Sequence, residues 1–451
     1  MKILLKKLEA KAEAEVCLMS KKIFDDLSLS TEVKYNIHVG QLNKSSYIRP
    51  KDIKGSCMYF TMPIFNELLL YNNANLNIWR KGNDIYLGPV VGVFINTRSL
   101  KLIEKLNPPI SYQKNMQANE EGNCLLYYFS IEDVNWVENK IKGFTFIKEL
   151  NMWKHCWFPM PDVVYDRASR FEANQRLLVS HIRNQFRYHP RIHLINSGDA
   201  LSKWKVYKYL SKYPKIIGYL PKTILYKSFQ DIINMLNEYK FIFLKASYGS
   251  KGRQVLSIEQ IGEKYKISFY SHGLKYKLLD MEQLQEFVNK FITRKSYVVQ
   301  QGCRLIKYEG RTMDMRVLIN KDGSGKWKAI YNLCRITGKD ATITNYYHGG
   351  RLADYEDIYP NLKRENPNIN IPSYDEIVNA TIKIATYIEK DYGSFGEIGM
   401  DMALDKDGKL WFIEGNAQPD KSPEPGLKKT EGIKPQWLNV LQYAKFLVGG
   451  E

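Results

Sequence analysis

The chain has 451 residues, 44% hydrophobic and 25% charged, which is the composition of a globular protein with roughly two to four domains. Its 66 lysines and arginines against 48 acids give a formal charge of +18, which favours anionic partners and says nothing about fold. There is no zinc-ligand spacing, no standard RNA-binding signature and no apolar stretch of about 18 residues, which excludes a zinc module, a dedicated nucleic-acid module and a membrane-spanning helix.

The opening decapeptide Met1–Ala10 is basic, but its apolar run is short and broken by charge, so it is not read as a secretory signal. The six cysteines are scattered, as free thiols of a reducing cytoplasm are. Residues 1–85 alternate in short segments, with strands expected at Glu32–Gly40 and Cys57–Ile64, and predict a β-rich N-terminal domain. Tyr86–Asn96 is an almost continuous apolar run, the pattern of a strand buried on both faces. Leu125–Ser130 is a second such run, and a helix is expected to follow over Ile131–Lys142. Residues 86–200 therefore predict a small parallel α/β domain.

Residues 201–451 hold the chemistry. Helices are expected at Trp204–Lys212, Phe229–Glu238, Met281–Phe291 and Tyr374–Lys390. Strands are expected at Tyr239–Ala246, Tyr297–Gln301, Met313–Asn320, Lys326–Thr337, Ile398–Leu404 and Lys409–Glu414. The last two form a hairpin through Asp405-Lys-Asp-Gly408. With the turn at Lys406-Asp407, Asp401 lies opposite Phe412, Glu414 lies diagonal to it on the same face, and Asn416 continues that face. Met400, Met402, Leu404, Trp411 and Ile413 fall on the other. Two carboxylates and an amide oxygen so close repel and lose hydration unless a divalent cation joins them. The competing reading is a surface hairpin with solvated acids.

Lys245 ends the apolar run Phe241-Ile-Phe-Leu, where an ammonium is costly unless it meets an anion. The loop that follows, with Gly249, Ser250, Lys251, Gly252 and Arg253, could bring backbone N–H groups close to phosphates, although it fits neither the Walker A nor the dinucleotide pattern. A hairpin turn with a snorkelling lysine is the alternative. Asp314 and Arg316 on one strand and Arg335 on another place charge in apolar surroundings, as a structural ion pair or as part of a site.

Together these pieces resemble the ATP-grasp superfamily, and within it the endospore coat-associated YheC/YheD-type family of spore-forming Firmicutes. The resemblance rests on Leu87–Val93, Ser130–Trp136, Phe158–Arg167, Ser202-Lys-Trp204, Pro221-Lys-Thr223, the Lys245 strand and loop, Asp314-Met-Arg316, Arg335, Asn345–Gly350 and Glu414-Gly-Asn416. It implies an α/β (α+β) ATP-grasp fold after the two smaller domains, with ATP between two antiparallel sheets. Lys203 and Lys245 match the two nucleotide lysines, and Gly249, Ser250 and Gly252 match the lid over the phosphates. Gln300, Gln301 and Gly302 match the adenine hinge, used through its backbone. Asp314, Arg335 and Asn345 match phosphate-side positions. Asp401, Glu414 and Asn416 match ligands of two Mg²⁺ ions, with Mn²⁺ as an alternative. The implied activity is ADP-forming joining of a carboxylate to an amine through an acylphosphate, with Lys245, Arg316 and Arg335 offsetting the developing charge. The partners would be ATP and two unidentified substrates, an acidic peptide or a spore component among them, with no membrane and no nucleic acid. The location would be cytoplasmic, in association with the spore. A coat-associated interaction protein that keeps the fold, or a small-molecule kinase, are the alternatives. Three positions depart from the pattern. Ser202 stands where an aspartate often precedes the first lysine, Gly399 where relatives acting on D-alanine carry arginine, and Asp420 where a glycine commonly follows the proline.

Overall fold

The computed structural model describes residues 1–8, 16–196, 201–248, 254–270, 274–293, 295–337, 350–421 and 434–449. Within residues 2–88, seven strands close into a barrel. The strand expected at Cys57–Ile64 ends at Phe60, because Pro63 stands in the first turn of a short helix, Met62–Glu67. Proline is suited to that position, where its missing N–H costs no bond.

The apolar run Tyr86–Asn96 is divided between two sheets. Gly88 ends the last barrel strand, and Val90–Phe94 opens a second sheet after Pro89. In that sheet Leu125–Phe129, Val90–Phe94, Val163–Asp166 and His193–Ile195 run parallel in this spatial order, and Lys140–Ile147 adds antiparallel to Leu125–Phe129. The helix expected at Ile131–Lys142 does not form. Asn135 accepts from the backbone N–H of Glu138 at 3.0 Å, and Asn139 has φ +50°, so the segment turns into a hairpin. Asparagine offers the backbone this local alternative to a helix.

Four helices without a forecast complete this part: Thr97–Glu104, Ile110–Gly122, Arg176–Tyr188 and Pro435–Leu447. The last lies more than 230 residues beyond the sheet it covers. Trp437, Val440, Leu441 and Ala444 share one core with Val91, Val93, Leu126 and Tyr128.

Two antiparallel sheets make up the remainder. The first carries the lysine strand, Phe241–Ala246, between Tyr297–Gln301 and Val255–Ile261. Helices Phe229–Tyr239 and Met281–Phe291 cover one face with Ile232, Met235, Leu236, Leu284 and Val288. The second sheet orders its strands Arg351–Asp354, Trp327–Ile336, Arg311–Lys321, Glu397–Leu404 and Leu410–Asn416. Its covering helix, Tyr374–Tyr392, starts at a capping box between Ser373 and Glu376 and buries Ile377, Ile384 and Ile388. Each such side chain contributes about 1.5–3 kcal/mol by burial. On the face away from these helices Lys245 lies beside Phe243 in the first sheet, and Arg316 lies beside Asp401 in the second.

Candidate active site

The final hairpin decides where the carboxylates point. Asp405 Oδ1 accepts from the backbone N–H groups of Asp407 and Lys409, each at 2.9 Å, and shapes the loop. Leu404 then pairs with Leu410 and Met402 with Phe412, and all four enter the helix-covered core beside Met400. Trp411 and Ile413, expected there, are not part of that core, and Trp411 instead donates its indole N–H to Asp405 at 2.8 Å. Strict alternation would carry Glu414 into the core after Phe412. A bulge at Ile413 adds one residue and reverses the sense. Asp401 is therefore paired directly with Glu414, not diagonally as expected, and Gly399 with Asn416.

The neighbouring strand Arg311–Lys321 alternates in the same way. Met313, Met315 and Val317 enter the core, while Asp314 and Arg316 share the carboxylate face. Arg335 grips Asp314 with two bonds, 2.6 and 2.7 Å, and reaches Asp401 Oδ2 at 3.3 Å. Arg316 Nε lies 2.9 Å from Asp401 Oδ1, and Lys203 Nζ lies 2.8 Å from Glu414. Burial pushes the Asp401 carboxyl up, with Glu414 and Asp314 adding to the effect against Arg316 and Arg335. Burial also opposes ionisation of Glu414, but Lys203, Lys245 and Arg316 together outweigh it, and the carboxyl is held below its usual range.

In the facing sheet Lys245 is buried and its ammonium meets Gln300 Oε1 at 2.7 Å. Gln300 Nε2 donates to Thr223 Oγ1 at 3.0 Å, and Thr223 donates to the carbonyl of Pro221 at 2.9 Å. Burial lowers the pKa of Lys245 to about 8, although Glu414 pulls it upward. The two sheets meet at helix Lys203–Leu210: the backbone N–H of Lys203 donates to the carbonyl of Ser247, just past the lysine strand, at 3.0 Å. Ser202, where an aspartate is usual, caps this helix by accepting from the N–H of Lys205 at 3.4 Å. A cleft lined by Lys203, Leu220, Pro221, Gln300, Phe412 and Glu414 runs between the sheets.

A family model described as YheC/D like ATP-grasp matches residues 191–447, more than half of the chain. The chain belongs to the YheC/D-like ATP-grasp family. Endospore coat-associated protein YheD of Bacillus subtilis (strain 168) is 25% identical over 392 residues, covering 85% of this chain and 84% of YheD. Endospore coat-associated protein YheC of the same organism is 22% identical over 284 residues, covering 62% of this chain and 77% of YheC. Among solved structures, D-cycloserine synthetase DcsG aligns with 79% of this chain and 99% of its own, at 12% identity and a TM-score of 0.47.

In this YheC/D-like member, Lys203, Arg316, Arg335, Asp314, Asp401 and Glu414 form one linked cluster, with Lys245 and Gln300 facing it from the other sheet. Gly249, Ser250, Gly252 and Asn345 lie outside the described residues. In the segment expected as the adenine hinge, two backbone N–H groups are taken up within the protein. The N–H groups of Gln301 and Gly302 are bonded to the carbonyls of Lys222 and Phe241 at 2.8 Å, and Gln300 turns its side chain, not only its backbone, towards the site. A Cβ on Gly302 would stand 2.3 Å from the Phe241 ring, so only glycine fits there.

The donor set fits magnesium. Asp401 Oδ1 is buried without an aligned hydrogen bond, and the amide of Asn416 has a buried, unpartnered end that an amide flip turns into an oxygen donor. Among the described residues no three His, Cys, Asp or Glu side chains form a self-sufficient cage, so water and phosphate oxygens would complete an octahedron. Thr223 was missed by sequence reasoning as the brace behind Lys245. Its one signal was its place in Pro221-Lys-Thr223.

Proposed function

We propose that this protein is an ATP- and Mg²⁺-dependent ligase that joins a carboxylate to an amine through an acylphosphate. The supporting observation is the bulge at Ile413, which sets Asp401 and Glu414 side by side on the one sheet face that also holds Arg316 and Arg335. Three carboxylates (Asp314, Asp401, Glu414) and four cations (Lys203, Lys245, Arg316, Arg335) leave the cluster at +1. ATP, with about four negative charges, and two Mg²⁺ would add none, so the filled site stays as balanced as the empty one.

When bound between Asp401, Glu414 and Asn416, Mg²⁺ would screen the phosphates and polarise the one being transferred. The chain's own groups do the rest. On nucleotide binding, Lys203 turns from Glu414 to the phosphates, and Lys245 presents its ammonium from a fixed position set by Gln300 and Thr223. A substrate carboxylate oxygen attacks the γ-phosphorus, and ADP leaves. The amine then attacks the acyl carbon, phosphate leaves, and the extra proton passes to water. Arg316 and Arg335 offset the negative charge that builds up in both steps.

Glu414→Gln is expected to abolish Mg²⁺-dependent ADP production from a pool of carboxylates and amines while leaving the circular dichroism spectrum intact. Equal turnover by the two proteins would falsify the assignment. ADP binding with no turnover for any substrate supports instead a coat-associated role, the reading favoured by the names of the Bacillus relatives. We infer a cytoplasmic, spore-associated location. None of the six cysteines is held in a disulfide, and no described helix is long and apolar enough to cross a membrane.

A further inference from the structure

Glu397 lies on the same strand face as Gly399 and Asp401, yet it takes no part in the carboxylate cluster. It is fully buried. Its Oε1 accepts from Tyr165 Oη at 2.5 Å and from Arg167 at 2.6 Å, and Lys421 Nζ stands 3.2 Å from its Oε2. Lys421, also buried, donates to Tyr165 Oη at 3.0 Å and lies over the Trp437 ring. Tyr165 lies in a strand of the parallel sheet, Arg167 directly follows that strand, and both precede the family-matching segment. A buried ionic group of this kind stabilises less than apolar packing of equal size. Its presence calls for a positional reason.

The strap 417–421, which directly follows Asn416, supplies one. Each of its residues is tied down. Asn196 Nδ2 donates to the carbonyl of Ala417 at 2.8 Å, and Gln418 donates to the carbonyl of Ala168 at 2.9 Å. Arg167 donates its other nitrogen to the carbonyl of Pro419 at 2.9 Å, and Tyr331 donates to that of Asp420 at 3.2 Å. Lys421 closes the strap on Glu397. Asn196 also accepts from the N–H groups of Gly396 and Glu397, so it binds the strap and the aspartate strand at once. At Gly399 the strap touches the site: a Cβ there would stand 2.8 Å from Pro419 Cβ and 2.9 Å from Arg316 Nη1. The strap thus walls in the arginine that holds Asp401, and its first residue continues the backbone of Asn416.

We propose that Arg167, Tyr165 and Asn196 are positioning residues of the nucleotide–metal site, acting through the strap 417–421 to hold Asn416 and Arg316 in place. The inference rests on the ligase reading for its metal, and on the contacts above for the clamp. Arg167→Met removes one arm of the clamp, Arg167→Lys restores its charge, and Gln418→Leu loosens the strap without touching the buried charges. Two measurements follow each variant. One is amide hydrogen exchange of peptides spanning 415–421. The other is the Mg²⁺ concentration needed for half-maximal ADP binding by calorimetry.

Arg167→Met and Gln418→Leu are expected to exchange at least about tenfold faster in the strap and to need about tenfold more Mg²⁺, with ADP affinity at saturating Mg²⁺ within about twofold of wild type. Arg167→Lys is expected to recover most of both. A looser strap with an unchanged Mg²⁺ requirement overturns the positioning role, and unchanged exchange overturns the clamp itself. If Arg167→Met fails to fold, Gln418→Leu decides alone. Wild-type protein that binds no ADP at any Mg²⁺ concentration overturns the ligase reading and with it the metal role of the clamp, whatever the exchange data show.

Discussion

Lys245 offers the most quantitative test of the nucleotide site. Its ammonium is buried against Gln300, and its pKa is lowered to about 8 in the free protein. A phosphate beside it favours the protonated form, so nucleotide binding takes up a proton at any pH above about 8. The sign follows directly. Affinity is full below that pH and falls as pH rises through it, because an increasing fraction of the free protein must first be protonated. At pH 9 about one molecule in eleven carries the ammonium, against nine in ten at pH 7. The dissociation constant for Mg–ADP should therefore rise about tenfold across that interval, or about 1.4 kcal/mol. The phosphates of ADP are already ionised at pH 7, with second pKa values near 6, so they contribute little to the slope. Calorimetry at pH 9 in two buffers of different ionisation enthalpy should reveal uptake of nearly one proton. Lys245→Arg, charged throughout, should bind with a flat profile and no uptake. A wild-type affinity that stays constant from pH 7 to 9.5, or a decline that persists in Lys245→Arg, would sink the claim that this ammonium meets a phosphate.

Gly302→Ala forces a methyl to within 2.3 Å of the Phe241 ring and is expected to cost about 1–3 kcal/mol, read as a lower urea midpoint with an unchanged slope. Gly399→Ala crowds Pro419 and Arg316 from the other side. It should lower kcat about 10- to 100-fold while leaving Mg–ADP affinity within about twofold, and an unchanged kcat would mean that Arg316 has no duty in the chemical steps. Ile384→Ala, under the second sheet, should destabilise by about 2–5 kcal/mol without changing the Mg²⁺ requirement of the protein that remains folded.

Much of the scaffold was legible because its signals are local. Met281–Phe291 and Tyr297–Gln301 appear with the expected bounds, set by apolar periodicity and by the Asp280–Gln283 capping box. Alternation along Arg311–Lys321 likewise assigns Asp314 and Arg316 to the face opposite Met313, Met315 and Val317. The register of the last hairpin was not legible. It depends on a loop that Asp405 ties together and on a bulge that the core selects by admitting Phe412 and excluding Glu414, and neither leaves a mark in composition. At Ile131–Lys142 an apolar spacing compatible with a helix was overridden by two asparagines that turn the chain. The Arg167–Glu397 pair spans 230 positions, and no short-range pattern reports which distant charges will meet.

Helix Pro435–Leu447 also bears on how the molecule is made. Its side chains complete a core whose other members, from Val91 to Ile195, are synthesised 240 or more residues earlier. Until then Val91, Val93, Leu126 and Tyr128 lack part of their packing, so the core of the parallel sheet is completed only after the two antiparallel sheets have been synthesised. A nascent chain stalled short of that helix would expose the apolar side chains that the helix covers.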